Sequence, residues 1–195
     1  APYIGDLIGY RTLHAVTERT RSARAEVANT IAYRRRKGTA TVLEQLARDV
    51  TGWNARVVEF FQWVETSQYM NHVRPINLVT VDLRNWEALE RRDTAFNGMA
   101  HSVDMRRIET QQGRYNIPNI GLFLWRLDAF AVRRSPAFRV DDERFVFSPL
   151  GNNQQLFTRP QAETDITHLA EPLNVPEPIS RRVLDTYLAQ YYGPQ

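Results

Sequence analysis

The hydrophobic period of this 195-residue chain changes at Pro75, and that change constrains the fold more than any single motif. Before Pro75, apolar residues recur at helical spacing. After it they alternate, as in a strand. A chain written in two periods is expected to be α+β, with two to three packed helices at the N-terminus, then a small mixed or antiparallel sheet, then a C-terminal helix. The matching divisions are 1–74 for the helical part, 75–150 for the sheet-containing part, and 151–195 for an irregular loop and the last helix.

Within the first part, Val16, Thr20, Ala23, Val27 and Thr30 follow a 4-3-4-3 spacing, a coiled-coil-like seam of small or polar residues suited to close packing against a partner helix. That helix is expected to end at Arg34-Arg35-Arg36-Lys37, where cations complement the helix dipole, with Gly38 taking the left-handed conformation beyond it. The next helix is expected to start near Thr39 or Thr41. Thr41 and Glu44 fit a capping box, and Val42, Leu43, Leu46 and Val50 share one face. Gly52 closes it. A third helix is expected from Trp53, with Trp53, Val57, Phe60, Phe61 and Val64 as its apolar stripe. Phe60 and Phe61 then belong to the core. Trp63 lies off the stripe, as an edge of the core or as part of a second face for another subunit.

Beyond Pro75, Val79, Val81 and Leu83 alternate with Leu78, Thr80 and Asp82, and 85–92 suits a short helix. Gly113 to Pro118 is rich in turn formers. Ile120 to Val132 is the strongest strand candidate, with both faces expected to be buried at its start, and Phe145-Val146-Phe147 makes another short strand. Asp141-Asp142-Glu143 does not alternate as calcium ligands do and suits a solvated turn between strands. Residues 151–178 carry four prolines and read as loop. Val183, Leu184, Tyr187, Leu188 and Tyr191 make a final amphipathic helix.

The chemistry-bearing residues are sparse. Without cysteine, thiolate catalysis, disulfides and Cys-based zinc sites are excluded. None of His14, His72, His101 and His168 sits in a metal motif, and the scattered glycines form no phosphate-cradling loop. His101 and Asp104 could share a helix face with Arg107, the basis for a hydrolase reading. No Gly-x-Ser-x-Gly elbow exists to place a nucleophile. The expectation is therefore no catalytic, cofactor-binding or metal-ligating residues and no small-molecule substrate. Of the 25 basic residues only Lys37 is lysine, and arginine serves protein interfaces as well as phosphates. A net charge of +3 is too small to imply nucleic acid by itself. Consecutive cations at 34–37 point in different directions on a helix, which favours capping or a protein contact over nucleic acid. A basic helical nucleic-acid-binding module is the alternative. The greasiest run, 120–127, is too short for a membrane span.

Two stretches carry a family resemblance. Tyr33-Arg34-Arg35-Arg36-Lys37-Gly38-Thr39, Val42-Leu43-Glu44-Gln45-Leu46-Ala47, Trp53 and Val58-Glu59-Phe60-Phe61 together resemble the phage tail protein I family, with Glu59-Phe60 where that family tends to carry Glu-Trp. Residues 113–127 (Gly113, Arg114 and Tyr115 through Leu127) are similar to a segment of large baseplate proteins of bacterial contractile injection systems. The resemblance implies a structural baseplate wedge subunit without catalysis or cofactor. Its implied partners are other wedge subunits, the hub and spike, and the sheath, with no nucleic acid. It implies assembly in the cytoplasm and then residence in an injection particle. Subunit contacts are expected at Val16, Ala23, Val27, Arg34, Arg35, Arg36, Lys37 and Trp63. The chain starts without Met and is expected to be a segment of a longer polypeptide, with residues 1–15 belonging either to this domain or to a preceding linker.

Overall fold

The computed structural model describes residues 2–11, 23–74, 81–110, 112–128, 133–148, 150–163, 165–186 and 188–189. The architecture is α+β, with helices first, two small antiparallel sheets, and a C-terminal helix. The chain forms two units. One comprises Ala1–Leu124 with Asp165–Leu169, the other Trp125–Thr164 with Ala170–Gln195.

In the first unit, α1 (Pro2–Leu7) precedes α2 (Ala23–Arg35) and α3 (Ala40–Thr51). As expected, α2 ends in the arginine run. Arg34 and Arg35 occupy its last turn, and Gly38 follows at φ +90, open to a left-handed backbone only because it lacks a side chain. Helix α3 starts where expected, but the expected capping box does not form. Its cap is Thr39, in extended conformation and without a side-chain cap bond. The Thr39 hydroxyl instead donates to the Arg36 carbonyl at 2.9 Å. Glu44 closes no capping box because it is fully buried and serves the next element. The buried face of α3 is correspondingly rotated. Val42 and Ala47 are buried together with Glu44 and Asp49, while Leu43 is 40% exposed.

Gly52, at φ 72, stops α3 as expected, but no third helix follows. Residues Asn54–Glu59 form strand β1, and Phe60–Trp63 a single 3-10 turn. The helical spacing of Trp53, Val57, Phe60, Phe61 and Val64 is also met by a strand that turns at its end. Adjacent β-branched Val57 and Val58 favour the strand, and Ala55 and Val57 point inward by alternation. Burial of Val57 alone contributes about 1.5–3 kcal/mol. Phe60 is buried as expected, whereas Phe61 stands in solvent.

Buried Glu44 joins α3 to β1. Its Oε2 accepts the Val57 amide at 2.9 Å and its Oε1 accepts Arg48 Nη1 at 3.0 Å. A buried carboxylate is tolerated only when its oxygens are occupied in this way. Asp49 does the same between α3 and α2, accepting Asn29 Nδ2 at 2.8 Å, Gln45 Nε2 at 3.0 Å and the Tyr33 hydroxyl.

The expected alternating strand around Val79 lies mostly outside the described residues; the described Val81 to Leu83 form no strand. A short helix, α4 (Trp86–Glu90), follows, with Asn85 Oδ1 accepting the Ala88 amide. Strand β2 (Ile120–Trp125) pairs with β1, the Phe60 amide reaching the Asn119 carbonyl at 3.2 Å. The expected burial of both β2 faces is not observed, for Ile120 and Leu122 are each 51% exposed. Two strands and a helix cover only one side.

In the second unit, β3 (Phe138–Arg139) and β4 (Phe145–Val146) form an antiparallel hairpin with Phe138 opposite Val146. Its turn is the acidic run, in which Asp141 Oδ1 accepts the amides of Glu143 and Arg144. The proline-rich stretch is irregular but not unpaired. Thr158 and Glu177, Leu156 and Ile179, and Gln161 and Leu173 exchange backbone hydrogen bonds. Helix α5 (Arg181–Thr186) buries Val183. Tyr187 and Tyr191 lie outside the described residues.

Candidate interaction surface

The segment 97–122 of the first unit concentrates hydrogen bonds without regular helix. It starts at Asn97, which is buried. The Asn97 carbonyl oxygen accepts the Met99 amide at 3.0 Å, which directs its NH2 toward His101 Nε2 at 2.8 Å and the Tyr115 hydroxyl at 2.7 Å. His101 Nε2 must then be the acceptor, so the proton sits on Nδ1. The His101 ring stacks on Tyr115 with centroids 3.6 Å apart, and Phe60 meets Tyr115 edge-on at 5.3 Å. Burial lowers the His101 pKa; Arg92 and Arg114 push the same way and Asp93 opposes. Burial likewise raises that of Tyr115. Strand-like bonds fix the backbone, His101 N to the Trp63 carbonyl and Glu65 N to the His101 carbonyl, both 2.8 Å.

The next turn is organised by Asp104. Its carboxylate accepts Arg106 Nε and Nη2, the Arg106 amide and the Gly113 amide. The Arg106 guanidinium, first among these donors, holds the Asp104 pKa far below the usual carboxylate range. Gly113 has φ +65, and a side chain there would place its Cβ 1.8 Å from the Arg106 carbonyl. Asn119 Nδ2 then donates to the Gly113 carbonyl at 2.6 Å, and Asn116 Nδ2 to the Asp104 carbonyl at 3.1 Å.

This cross-linked turn leaves large apolar side chains in solvent. Met105 is 82% and Ile117 76% exposed, and Ile108, Ile120 and Leu122 are also exposed. Beside them lies a groove of about 460 Å³ lined by Phe60, Ile108, Arg114, Gly121, Leu122 and Phe123. The Arg114 guanidinium stands 5.9 Å above the Phe60 ring. Gly121 is required for the groove floor, because a Cβ there would come within 2.6 Å of Phe60.

His101 and Asp104 therefore do not share a helix face. They serve separate partners, Asn97 for the first and Arg106 with Gly113 for the second, because this backbone is extended and turned. Among the expected contact residues, Val16 lies outside the described residues. Ala23 opens α2, and Val27 is buried inside this chain, where it cannot meet a partner directly. Arg34 donates to the carbonyls of Ile8 and Gly9, at 2.5 and 2.8 Å, and so ties the end of α1 to α2. Arg35 and Lys37 are exposed, and Arg36 is half-buried. Trp63 is half-buried, with its ring next to Gly98. The surface at 105–122 was not anticipated beyond its turn-rich start, although the apolar Ile-Gly-Leu-Phe-Leu-Trp run was its visible trace.

Comparisons of the chain with protein-family models, curated proteins and solved structures find no match.

Proposed function

We propose that the chain is a structural component of a contractile, phage-tail-like injection machine, acting as a baseplate wedge element without catalysis or cofactor. In this reading it is assembled in the cytoplasm with other wedge subunits around a hub and spike, contacts the sheath, and remains in the particle. The resemblance of residues 33–61 and 113–127 to tail protein I and baseplate segments supports it. The observation that carries it is the apolar surface at Met105, Ile108, Ile117, Ile120 and Leu122 on a turn pinned by Asp104 and Asn119. Large apolar side chains exposed together on one ordered segment suit protein contacts, and a pre-ordered turn lowers the entropy lost on association. Subunits of a mechanical assembly need such rigid, apolar contacts.

Negative-stain imaging of particles from cells with and without this domain tests the proposal. Loss of sheathed particles, or of one particle end, is expected on deletion. Unaffected particles would overturn it. Salt-dependent binding to DNA would then become the reading to pursue, starting from the arginine run at 34–37.

A further inference from the structure

The groove beside β2 has a shape and a charge that specify its occupant. Its floor is aromatic, from Phe60 and Phe123, and its rim is aliphatic, from Ile108 and Leu122. One cation, Arg114, stands at this wall, held over the Phe60 ring. Among the described residues no carboxylate forms a salt bridge with Arg114; Asp104 is taken up by Arg106 and Gly113, and Asp93 pairs with Arg92. A guanidinium over an aromatic floor, in a partly desolvated groove, favours a carboxylate that brings apolar neighbours with it.

The walls are also set in advance. Gly113 admits the turn only because it lacks a side chain, and Asn119 and Asn116 tie the turn to the backbone on either side. Gly121 lets the Phe60 ring pack against the β2 backbone, where any side chain would collide with it at 2.6 Å, and so fixes the ring as the groove's floor. We infer that this groove is a docking site for an extended segment of a partner protein that places an aromatic or branched aliphatic side chain over Phe60 and an adjacent Asp or Glu against Arg114. The volume, about 460 Å³, suits one or two large side chains. The groove stands on this chain's own geometry. That its occupant belongs to a neighbouring baseplate subunit rests on the proposed function.

The test pans a phage-displayed random peptide library against the full chain. Peptides that pair an acidic residue with an aromatic or branched aliphatic neighbour are expected to be enriched. Arg114→Gln is expected to weaken the selected peptides roughly tenfold or more, as loss of a charge-assisted hydrogen bond would. Gly121→Val would fill the groove but risks the fold against Phe60. Leu122→Arg, at an exposed rim position, is therefore the second variant, and it is expected to weaken capture at least as much as Arg114→Gln while leaving the melting temperature unchanged. Failure to enrich any peptide, enrichment of carboxylate-free peptides, or equal capture by Arg114→Gln would overturn the inference. Self-association of the unmodified chain that Leu122→Arg abolishes would also overturn it, by assigning the groove to a second copy. Arg114-dependent capture together with particles indifferent to deletion keeps the groove and removes the baseplate role. The opposite pair of results removes only the groove.

Discussion

The two units are held by different kinds of bond. In the first, a few buried or half-buried side chains each collect several hydrogen bonds: Glu44 from α3 and β1, Asp49 from α2 and α3, Asn97 from His101, Tyr115 and Met99. In the second, much of the corresponding work falls to backbone pairing between 156–161 and 173–179, joined by the buried Thr158 hydroxyl and by Asn174 Nδ2 on the Gln161 carbonyl. Its hairpin leaves Phe138, Phe145 and Phe147 in solvent. A side-chain hub concentrates stability in a few atoms, so one substitution removes much of it. A backbone ribbon spreads stability over many bonds and is insensitive to most single changes. The contrast also predicts where the protein gains from partners, because a two-stranded hairpin with exposed aromatics is marginal alone.

Glu44→Ala breaks this contrast most severely if it is wrong. The substitution strands the Val57 amide and takes the carboxylate from the nearly buried Arg48 guanidinium, whose Nη2 keeps its bond to Gln45 Oε1. Removing one partner of a buried pair costs about 3–5 kcal/mol. Hydrogen exchange should show lost protection at Val57 and through β1, with residues 156–163 and 170–179 unchanged. Equal loss in both units would mean that they unfold as one and that the division has no energetic content.

Gly113→Ala tests the turn rather than the hub. Positive φ and the approach of the Arg106 carbonyl together cost roughly 2–3 kcal/mol. Exchange protection should fall over 104–119 first, and peptide capture by the Arg114 groove should fall with it. Retained capture would show that the groove does not depend on the turn being ordered in advance.

These hubs explain what could be read from the sequence and what could not. Gly38, Gly52, the arginines at the end of α2, the short helix after Asn85 and the acidic hairpin turn are local features, settled by residues within a few positions of one another. They were legible. Residues 54–64 were not, because apolar spacing along a strand that ends in a turn coincides with a helical stripe; the Val57-Val58 pair favours a strand only weakly, and pairing with β2 and the Glu44–Val57 bond, across 13 positions, fix it. Glu44 fitted a capping box in the sequence and is instead buried, since a carboxylate's burial depends on partners far along the chain. The candidate surface was half visible. The turn at Gly113 and the apolar run at 120–125 could be seen, whereas the pairing of Asp104 with Gly113 and the seating of Arg114 over Phe60 are long-range facts.

Smaller substitutions sharpen the comparison. Tyr33→Phe leaves Asp49 with Asn29 and Gln45 as donors, and should cost about 1 kcal/mol, seen as easier opening of α2 against α3. Thr158→Val removes the acceptor for the Glu177 amide at 3.1 Å, while the Thr158 amide keeps its bond to the Glu177 carbonyl. Its cost should be no more than about 1 kcal/mol, since the backbone ribbon remains. Thermal melting of each variant reads the order. A Thr158→Val loss as large as that of Glu44→Ala would erase the distinction between hub and ribbon.

The smallest effect expected is a pH slope from His101. Its ring is held neutral because Nε2 accepts the Asn97 amide, and burial, with Arg92 and Arg114 nearby, lowers its pKa below the ordinary 6.5, against the opposing charge of Asp93. The unfolded chain therefore takes up the proton first as pH falls, which favours unfolding. The contribution is complete above about pH 6.5 and is lost as pH drops toward the folded value. Asp104 adds nothing in this window, because Arg106 keeps it ionised and its unfolded carboxyl stays ionised there too. Asn97 cannot adapt by flipping its amide, since that would set its NH2 against the Met99 amide. His101→Gln retains an acceptor for Asn97 but does not titrate. The melting temperature of the unmodified protein should fall more steeply than that of His101→Gln between about pH 7 and pH 5. Parallel slopes would show that His101 protonates without disturbing Asn97, and that this hub holds through the surrounding rings rather than through the shared amide.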